Sequence, residues 1–312
     1  MFGSKAVERS LPKGSTMFKG SIVAILTPFQ NGRVDETALS KLIEFQIKNG
    51  TTGIVPCGTT GESPTLSTAE HERVIELCLK FTAKRIPVIA GTGSNSTEEA
   101  ISLTRHAAQA GADAALIVSP YYNRPTQKGL YLHFKAIADA VDVPIILYNI
   151  AGRTGVNIEP AIIQKLANDC KNIIGVKEAS GSLDQMANIR HLCGEKFILL
   201  SGDDALTLPL LSIGGAGVIS VVANIVPKDV SDMVHAFEKG DPQKAQRLHE
   251  KLYPLIKAMF LETNPIPVKT AAGLMGLCQP DLRLPLCEMG EENLAKLKKA
   301  LKDYGLMKTK SS

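Results

Sequence analysis

The stretch "KNIIGVKEASGS", residues 171–182, runs an apolar, β-branched segment into Lys177. A strand of this composition is normally buried on both faces, so a long cation inside it is paired, turned to solvent or chemically employed. Burial disfavours the charged form of a lysine, and the neutral amine is a nucleophile. Such an amine is best suited to Schiff-base formation with a carbonyl compound, which acidifies the adjacent carbon and gives an enamine for carbon–carbon bond formation. The competing explanation is a structural ion pair with Glu178 or Asp203.

Schiff-base chemistry needs protons moved as water leaves and as the enamine forms, and a tyrosine hydroxyl can both give and accept one. Tyr148 closes the apolar run "PIILY", which places its ring in the core and its hydroxyl at the strand end; a tyrosine that merely caps the core would look the same. The turn "GTTGES", residues 58–63, offers two hydroxyls and several backbone N–H groups, suited to holding a carboxylate or relaying a proton. Phosphate is a conceivable ligand too, but no lysine follows the second glycine as in a P-loop, and "GTGSNS" at 91 is an equally short signal. Arg153 in "AGRTG" would carry a guanidinium for bidentate carboxylate binding, unless it is an ordinary loop arginine. The histidines at 71, 106, 133, 191, 235 and 249 have no metal-ligand spacing, so no metal is expected.

These residues need a frame. Short β-branched runs alternate with helical periodicity: "SIVAILTPF" at 21, "GIVPCG" at 53, "PVIAGTG" at 87, "AALIVSP" at 114, "PIILYNI" at 144, "NIIGVKEAS" at 172, "FILLSGD" at 197 and "GVISVVAN" at 217. Between them lie helical segments such as "STAEHERVIELCLKFTA" and "STEEAISLTRHAAQAGA", with acidic residues near their starts and, in several, glycine past their ends. Eight such units predict an α/β fold, a (β/α)8 TIM barrel over residues 17–240, followed by a C-terminal helical layer over 241–308. Residues 1–16 read as a mobile extension or an expression remnant.

In a barrel of this kind the active site lies at the C-terminal ends of the strands. That filter keeps Thr27, the "GTTGES" turn, Tyr121, Tyr122, Asn123, Tyr148, Arg153, Lys177, Glu178 and the "SGDD" segment at 201–204. It also weakens the ion-pair explanation of Lys177.

The remaining composition excludes rather than assigns. A net charge of +4 without a long basic block argues against nucleic acid as a partner. Cys57, Cys78, Cys170, Cys193, Cys278 and Cys287 show no C-x-x-C spacing, which fits a reducing cytoplasm better than a disulfide framework. No apolar run approaches the roughly 20 residues that span a bilayer, and the first residues lack a signal-peptide pattern, so no membrane partner is expected.

Taken together, "GTTGES", "PYYNRP", "ILYN" with "RTG", "IIGVKEASG", "LLSGDD" and "NPIPVK" at 264–269 closely resemble the dihydrodipicolinate synthases, also called 4-hydroxy-tetrahydrodipicolinate synthases, from Met17 to about residue 308. The resemblance implies a lyase of lysine and diaminopimelate biosynthesis in which pyruvate forms a Schiff base with Lys177, its enamine attacks L-aspartate 4-semialdehyde, and the adduct cyclises as the lysine is released. It implies no cofactor. By the family pattern Thr59, Tyr148 and Tyr122 form a proton relay, with Tyr122 entering a neighbouring subunit's site; Thr60, Gly202 and Ile219 surround pyruvate; and Arg153 binds the aldehyde's carboxylate. It further implies a homotetramer built as a dimer of dimers. Feedback inhibition by L-lysine in the family uses positions that match Ser63, Pro64, Thr68, His71, Asn95, Glu99 and Tyr121. Glu99 and Tyr121 suit an α-amino group and a carboxylate, and His71 is a polar partner. Thr68 stands where sensitive relatives often have histidine and Pro64 where they often have alanine, so inhibition is expected to be weak or moderate.

N-acetylneuraminate lyase and the 2-keto-3-deoxy sugar acid aldolases share the lysine, the tyrosine and a similar turn, so those motifs alone mark only the superfamily. Arg153 in "RTG" and the "YYNRP" segment favour the synthase, which needs a second carboxylate clamp where the sugar-acid enzymes need polyhydroxyl contacts. A barrel retained only as a binding module would be expected to have lost the lysine or its relay, and both are present.

Overall fold

The computed structural model describes residues 17–307. Eight strands are parallel neighbours in one sheet: β1 Gly20–Ala24, β2 Gly53–Val55, β3 Ile89–Gly91, β4 Ala114–Val118, β5 Ile145–Asn149, β6 Ile173–Glu178, β7 Ile198–Ser201 and β8 Gly217–Ser220. Their order is β2-β1-β8-β7-β6-β5-β4-β3. The barrel closes where Ile54 bridges Val88 in parallel and the Gly91 N–H donates to the Pro56 carbonyl at 3.0 Å. Helices α1 Glu36–Lys48, α2 Thr68–Thr82, α3 Thr97–Ala110, α4 Gln127–Ala140, α5 Pro160–Asp169, α6 Leu183–Cys193, α7 Thr207–Ser212 and α8 Pro227–Glu238 follow the strands in turn. Three more, α9 Pro242–Ala258, α10 Ile266–Leu274 and α11 Glu291–Tyr304, complete the described chain. The fold is the TIM barrel with added C-terminal helices that the strand count predicts. The expectation for residues 1–16, and residue 308 at the far end, lie outside the described residues.

Local signals account for the element ends. Ser67 caps α2 by accepting from the Glu70 N–H while the Glu70 carboxylate accepts from the Ser67 N–H, and Gly111 ends α3 with φ +98°. Ile22 and Ala24 of β1 join an interior cluster with members from all eight strands, whereas Val23 and Ile25 face the helices. The expected first and last strand runs are longer than the observed strands. Pairing stops at Ala24 and Ser220 because Asn224 intervenes: its Oδ1 accepts from the Leu26 N–H at 3.0 Å and its Nδ2 donates to the Ala24 carbonyl at 2.8 Å. The backbone beyond those points is free to form the loops of the barrel mouth. No helix among the described residues is long and apolar enough to cross a membrane.

The core also holds a titratable group. His133 on α4 is 6% exposed, its Nδ1 lies 2.9 Å from the Thr97 Oγ1, and its ring packs edge-on to Phe134. Burial pushes the imidazole down to about 4. The unfolded chain takes up this proton near the ordinary value of about 6.5, so stability is full above that pH and falls between about 6.5 and 4. The loss from this group is on the order of 3 kcal/mol. The melting temperature is therefore expected to drop more between pH 7 and pH 4.5 in the natural chain than in His133→Asn, and equal drops would contradict this.

Candidate active site

Lys177 and Tyr148 are register partners on neighbouring strands β6 and β5. The register slips by one residue beside Ile145, so that Ile145 pairs with Ile173 but Ile146 pairs with Gly175. This irregularity decides where Lys177 points. Ile174 faces the interior cluster, and uninterrupted alternation would carry Val176 inward and Lys177 outward. Val176 instead packs among the helix-facing residues, and Lys177 shares the interior side with Tyr148. Gly175 makes the close approach possible, because a Cβ there would stand 2.5 Å from the Ile198 carbonyl oxygen.

Lys177 is 5% exposed, with its Nζ 4.1 Å from the centre of the Tyr148 ring. Among the described residues no carboxylate lies within ion-pair distance of it. Glu178 points the other way and accepts from Asn149 Nδ2, Gln185 Nε2 and the Ser180 N–H. Asp203 Oδ1 accepts from the Ala205 N–H. The structural ion pair weighed for Lys177 is absent. Gly202, beside it, leaves room for its arm, since a Cβ there would meet Ala179 Cβ at 2.6 Å and Lys177 Cε at 3.0 Å. The Tyr148 hydroxyl makes no hydrogen bond to another described residue, so it does not cap the core in that way.

The "GTTGES" turn is held from three directions. Thr27 Oγ1 donates to the Gly61 carbonyl at 2.7 Å. Asn264 Nδ2 donates to Thr60 Oγ1 at 3.0 Å. Glu62, whose φ of +54° is in the left-handed region, accepts from Lys269 Nζ at 2.5 Å, both side chains being fully buried. Burial pushes the Lys269 ammonium down, against the pull of Glu62. Phe29 lies under Lys269 and Arg283, at 4.0 and 4.2 Å from its ring centre, and the Arg283 guanidinium grips Glu70 at the start of α2. Removing one partner of a buried ion pair costs on the order of 3–5 kcal/mol, so this pair ties the turn firmly to α10. The pattern of "NPIPVK" carries no sign of these contacts, which join positions some two hundred residues apart; the only available signal was a lysine in an apolar helix.

An inner pocket of about 40 Å³ is lined by Thr59, Thr60, Tyr148, Arg153, Lys177, Gly202 and Asn264, with apolar neighbours that include Val221 and Phe260. Its lining includes the basic side chains Lys177 and Arg153 and no carboxylate. Arg153, on the short helix Ala151–Thr154, is exposed, and its Nη2 donates to the Asn264 carbonyl at 3.0 Å. Ile219, expected around pyruvate, does not line this pocket: its side chain is 1% exposed in the barrel interior, and Val221, two residues on, takes the lining position.

Thr59, Tyr148 and Arg153 also line an outer cleft of about 410 Å³, which extends to Ser63, Pro64, Thr68, His71, Glu99 and Tyr121. Asn95 is not in its lining and instead braces the loop above, donating from Nδ2 to the Tyr121 carbonyl at 3.2 Å. Glu99 accepts from Ser94 Oγ, and His71 Nε2 lies 2.9 Å from the Gly91 carbonyl oxygen while burial pushes its imidazole down. Cys57 lines the cleft too, but burial pushes its thiol well up and leaves it a poor nucleophile. Tyr122 is not in either cavity: its ring is 90% exposed and its φ is +70°. Its loop is pinned by Asn123 Nδ2 to the Asn95 carbonyl and by Arg124 Nε to the Gly155 carbonyl, both at 2.9 Å. No cluster of three or more potential metal ligands occurs among the described residues.

The model of the dihydrodipicolinate synthetase family matches residues 17–304. The chain belongs to this family. A 4-hydroxy-tetrahydrodipicolinate synthase of Endomicrobium trichonymphae is 64% identical over 292 residues, which is 94% of this chain and all of that protein. Among dihydrodipicolinate synthetase family structures, the chloride-inhibited dihydrodipicolinate synthase of Acinetobacter baumannii complexed with pyruvate is 48% identical, with a TM-score of 0.90 over 93% of this chain and 99% of its own. The enzyme of Cyanidioschyzon merolae with lysine bound is 43% identical, with the same TM-score and coverage.

Proposed function

We propose that this chain is a 4-hydroxy-tetrahydrodipicolinate synthase, a carbon–carbon bond-forming lyase of lysine and diaminopimelate biosynthesis that condenses pyruvate with L-aspartate 4-semialdehyde. The observation that carries the mechanism is the inward, unpaired Lys177 held over the Tyr148 ring. Its Nζ adds to the pyruvate ketone carbon, the carbinolamine loses water, and a proton leaves the methyl carbon to give the enamine. That carbon attacks the aldehyde carbon of the second substrate, whose amino group then displaces Lys177 from the imine carbon and closes the ring.

Thr60, in the inner pocket, is placed to bind the pyruvate carboxylate, and Arg153 at its mouth to bind that of the aldehyde. Tyr148 and Thr59, with unengaged hydroxyls, move the protons. Tyr122 completes the relay from a second copy of the chain. In support, a braced loop holds a non-glycine residue in the left-handed region, at a cost of roughly 1–3 kcal/mol, only to project an aromatic ring outward. The assembly is read as a homotetramer, residues 17–240 as its catalytic barrel and 241–308 as a helical layer, and the six free thiols suit the cytoplasm.

The Arg153 guanidinium beside a pocket lined by no carboxylate favours a second substrate that carries a carboxylate over a polyhydroxyl aldehyde. Coupled assays should therefore show turnover of pyruvate with aspartate semialdehyde and none with N-acetylmannosamine; the reverse would replace this reading with that of a sugar-acid aldolase. The outer cleft, with Glu99 for an α-amino group and Tyr121 for a carboxylate, supports weak or moderate inhibition by L-lysine. Activity unchanged by millimolar L-lysine would end that proposal.

A further inference from the structure

Asn264 touches both anion-binding groups of the site. Its side-chain N–H donates to Thr60 Oγ1, and its backbone carbonyl accepts from Arg153 Nη2, each at 3.0 Å. A hydroxyl that accepts one hydrogen bond keeps its own proton to donate, and Thr60, 2% exposed, gives that proton to no other described residue. The contact thus aims Thr60 as a donor into the pocket. Asn264 itself is 5% exposed and its Oδ1 is buried without a protein partner, a cost that simple packing would not require. Five residues on, Lys269 locks the same segment to Glu62.

We propose that Asn264 is a positioning residue that orients the Thr60 hydroxyl for the pyruvate carboxylate through its side chain and the Arg153 guanidinium for the second carboxylate through its backbone. This rests on the function proposed above. It also separates the two substrates. Asn264→Ala removes the side-chain contact and keeps the backbone one, so it weakens pyruvate binding and spares the aldehyde.

The test is borohydride trapping of pyruvate, read by intact mass across a pyruvate titration, with steady-state kinetics alongside. In Asn264→Ala the half-saturating pyruvate concentration should rise about tenfold or more, as for loss of a hydrogen bond to a charged group, while the KM for aspartate semialdehyde changes less than about threefold. On a Thr60→Ala background the same substitution should add little. Asn264→Asp, of the same shape, has no N–H to give Thr60 and should raise the half-saturating concentration at least as much, which keeps the test open if the alanine variant folds poorly. Unchanged half-saturation in these variants, or a lower trapped fraction with no shift in it, would overturn the proposal. Failure of the natural chain to trap pyruvate at all would overturn the function instead.

Discussion

Lys177→Arg is expected to lower turnover by a factor of about ten thousand or more while the fold survives. A guanidinium stays protonated at any pH at which the protein is folded, so it cannot add to a ketone and lose water to form the imine. The substitution isolates chemistry from packing. Lys177 already sits over the Tyr148 ring without a carboxylate partner, and arginine can stack on the same face. The arm is tight, because Gly202 leaves only enough space for the lysine carbons, so a modest fall in melting temperature accompanies the loss. Activity within tenfold of the natural chain, measured with the coupled assay, would contradict the assignment of Lys177 as nucleophile.

Tyr148→Phe is expected to lower kcat by roughly a hundredfold to ten-thousandfold, the usual worth of a positioned acid–base group. Only the hydroxyl is deleted. The ring stays in the interior cluster under Lys177, and since the hydroxyl bonds to no other described residue, stability should hardly change. Borohydride should still trap pyruvate on this variant, more slowly, because the amine is intact. A kcat within threefold would make Tyr148 a packing residue and shift the proton transfers to Thr59 or to Tyr122 of a second copy.

The barrel was legible because eight β-branched runs alternate with capped helices, a pattern set by local propensity and burial. The direction of Lys177 was not. Alternation from Ile174 points it outward, and the slip of register beside Ile145, with Gly175 admitting the Ile198 carbonyl, turns it in. Thr59, Thr60, Tyr148, Arg153 and Gly202 meet at one pocket because strand ends converge there, which the fold class alone dictates. Tyr122 lies outside it, on a loop whose backbone turns its ring to the surface.

Other contacts depend on distant sequence. Glu62 reads as part of a turn and Lys269 as part of a helix, and only the folded chain shows them as one buried pair that ties the "GTTGES" turn to the C-terminal helices. Asn264 was visible as a motif letter without a task. Ile219 was placed by family pattern; it lies in the barrel interior below the inner pocket's lining, where Val221 is found.

The most direct test of the account is to reduce the protein with borohydride in the presence of pyruvate, digest it and map the adduct. The expected result is one pyruvate-derived mass increment, carried by the peptide containing Lys177 and absent when pyruvate is withheld. An unmodified Lys177 peptide, or an adduct at Lys269 or another lysine in its place, would contradict the mechanism.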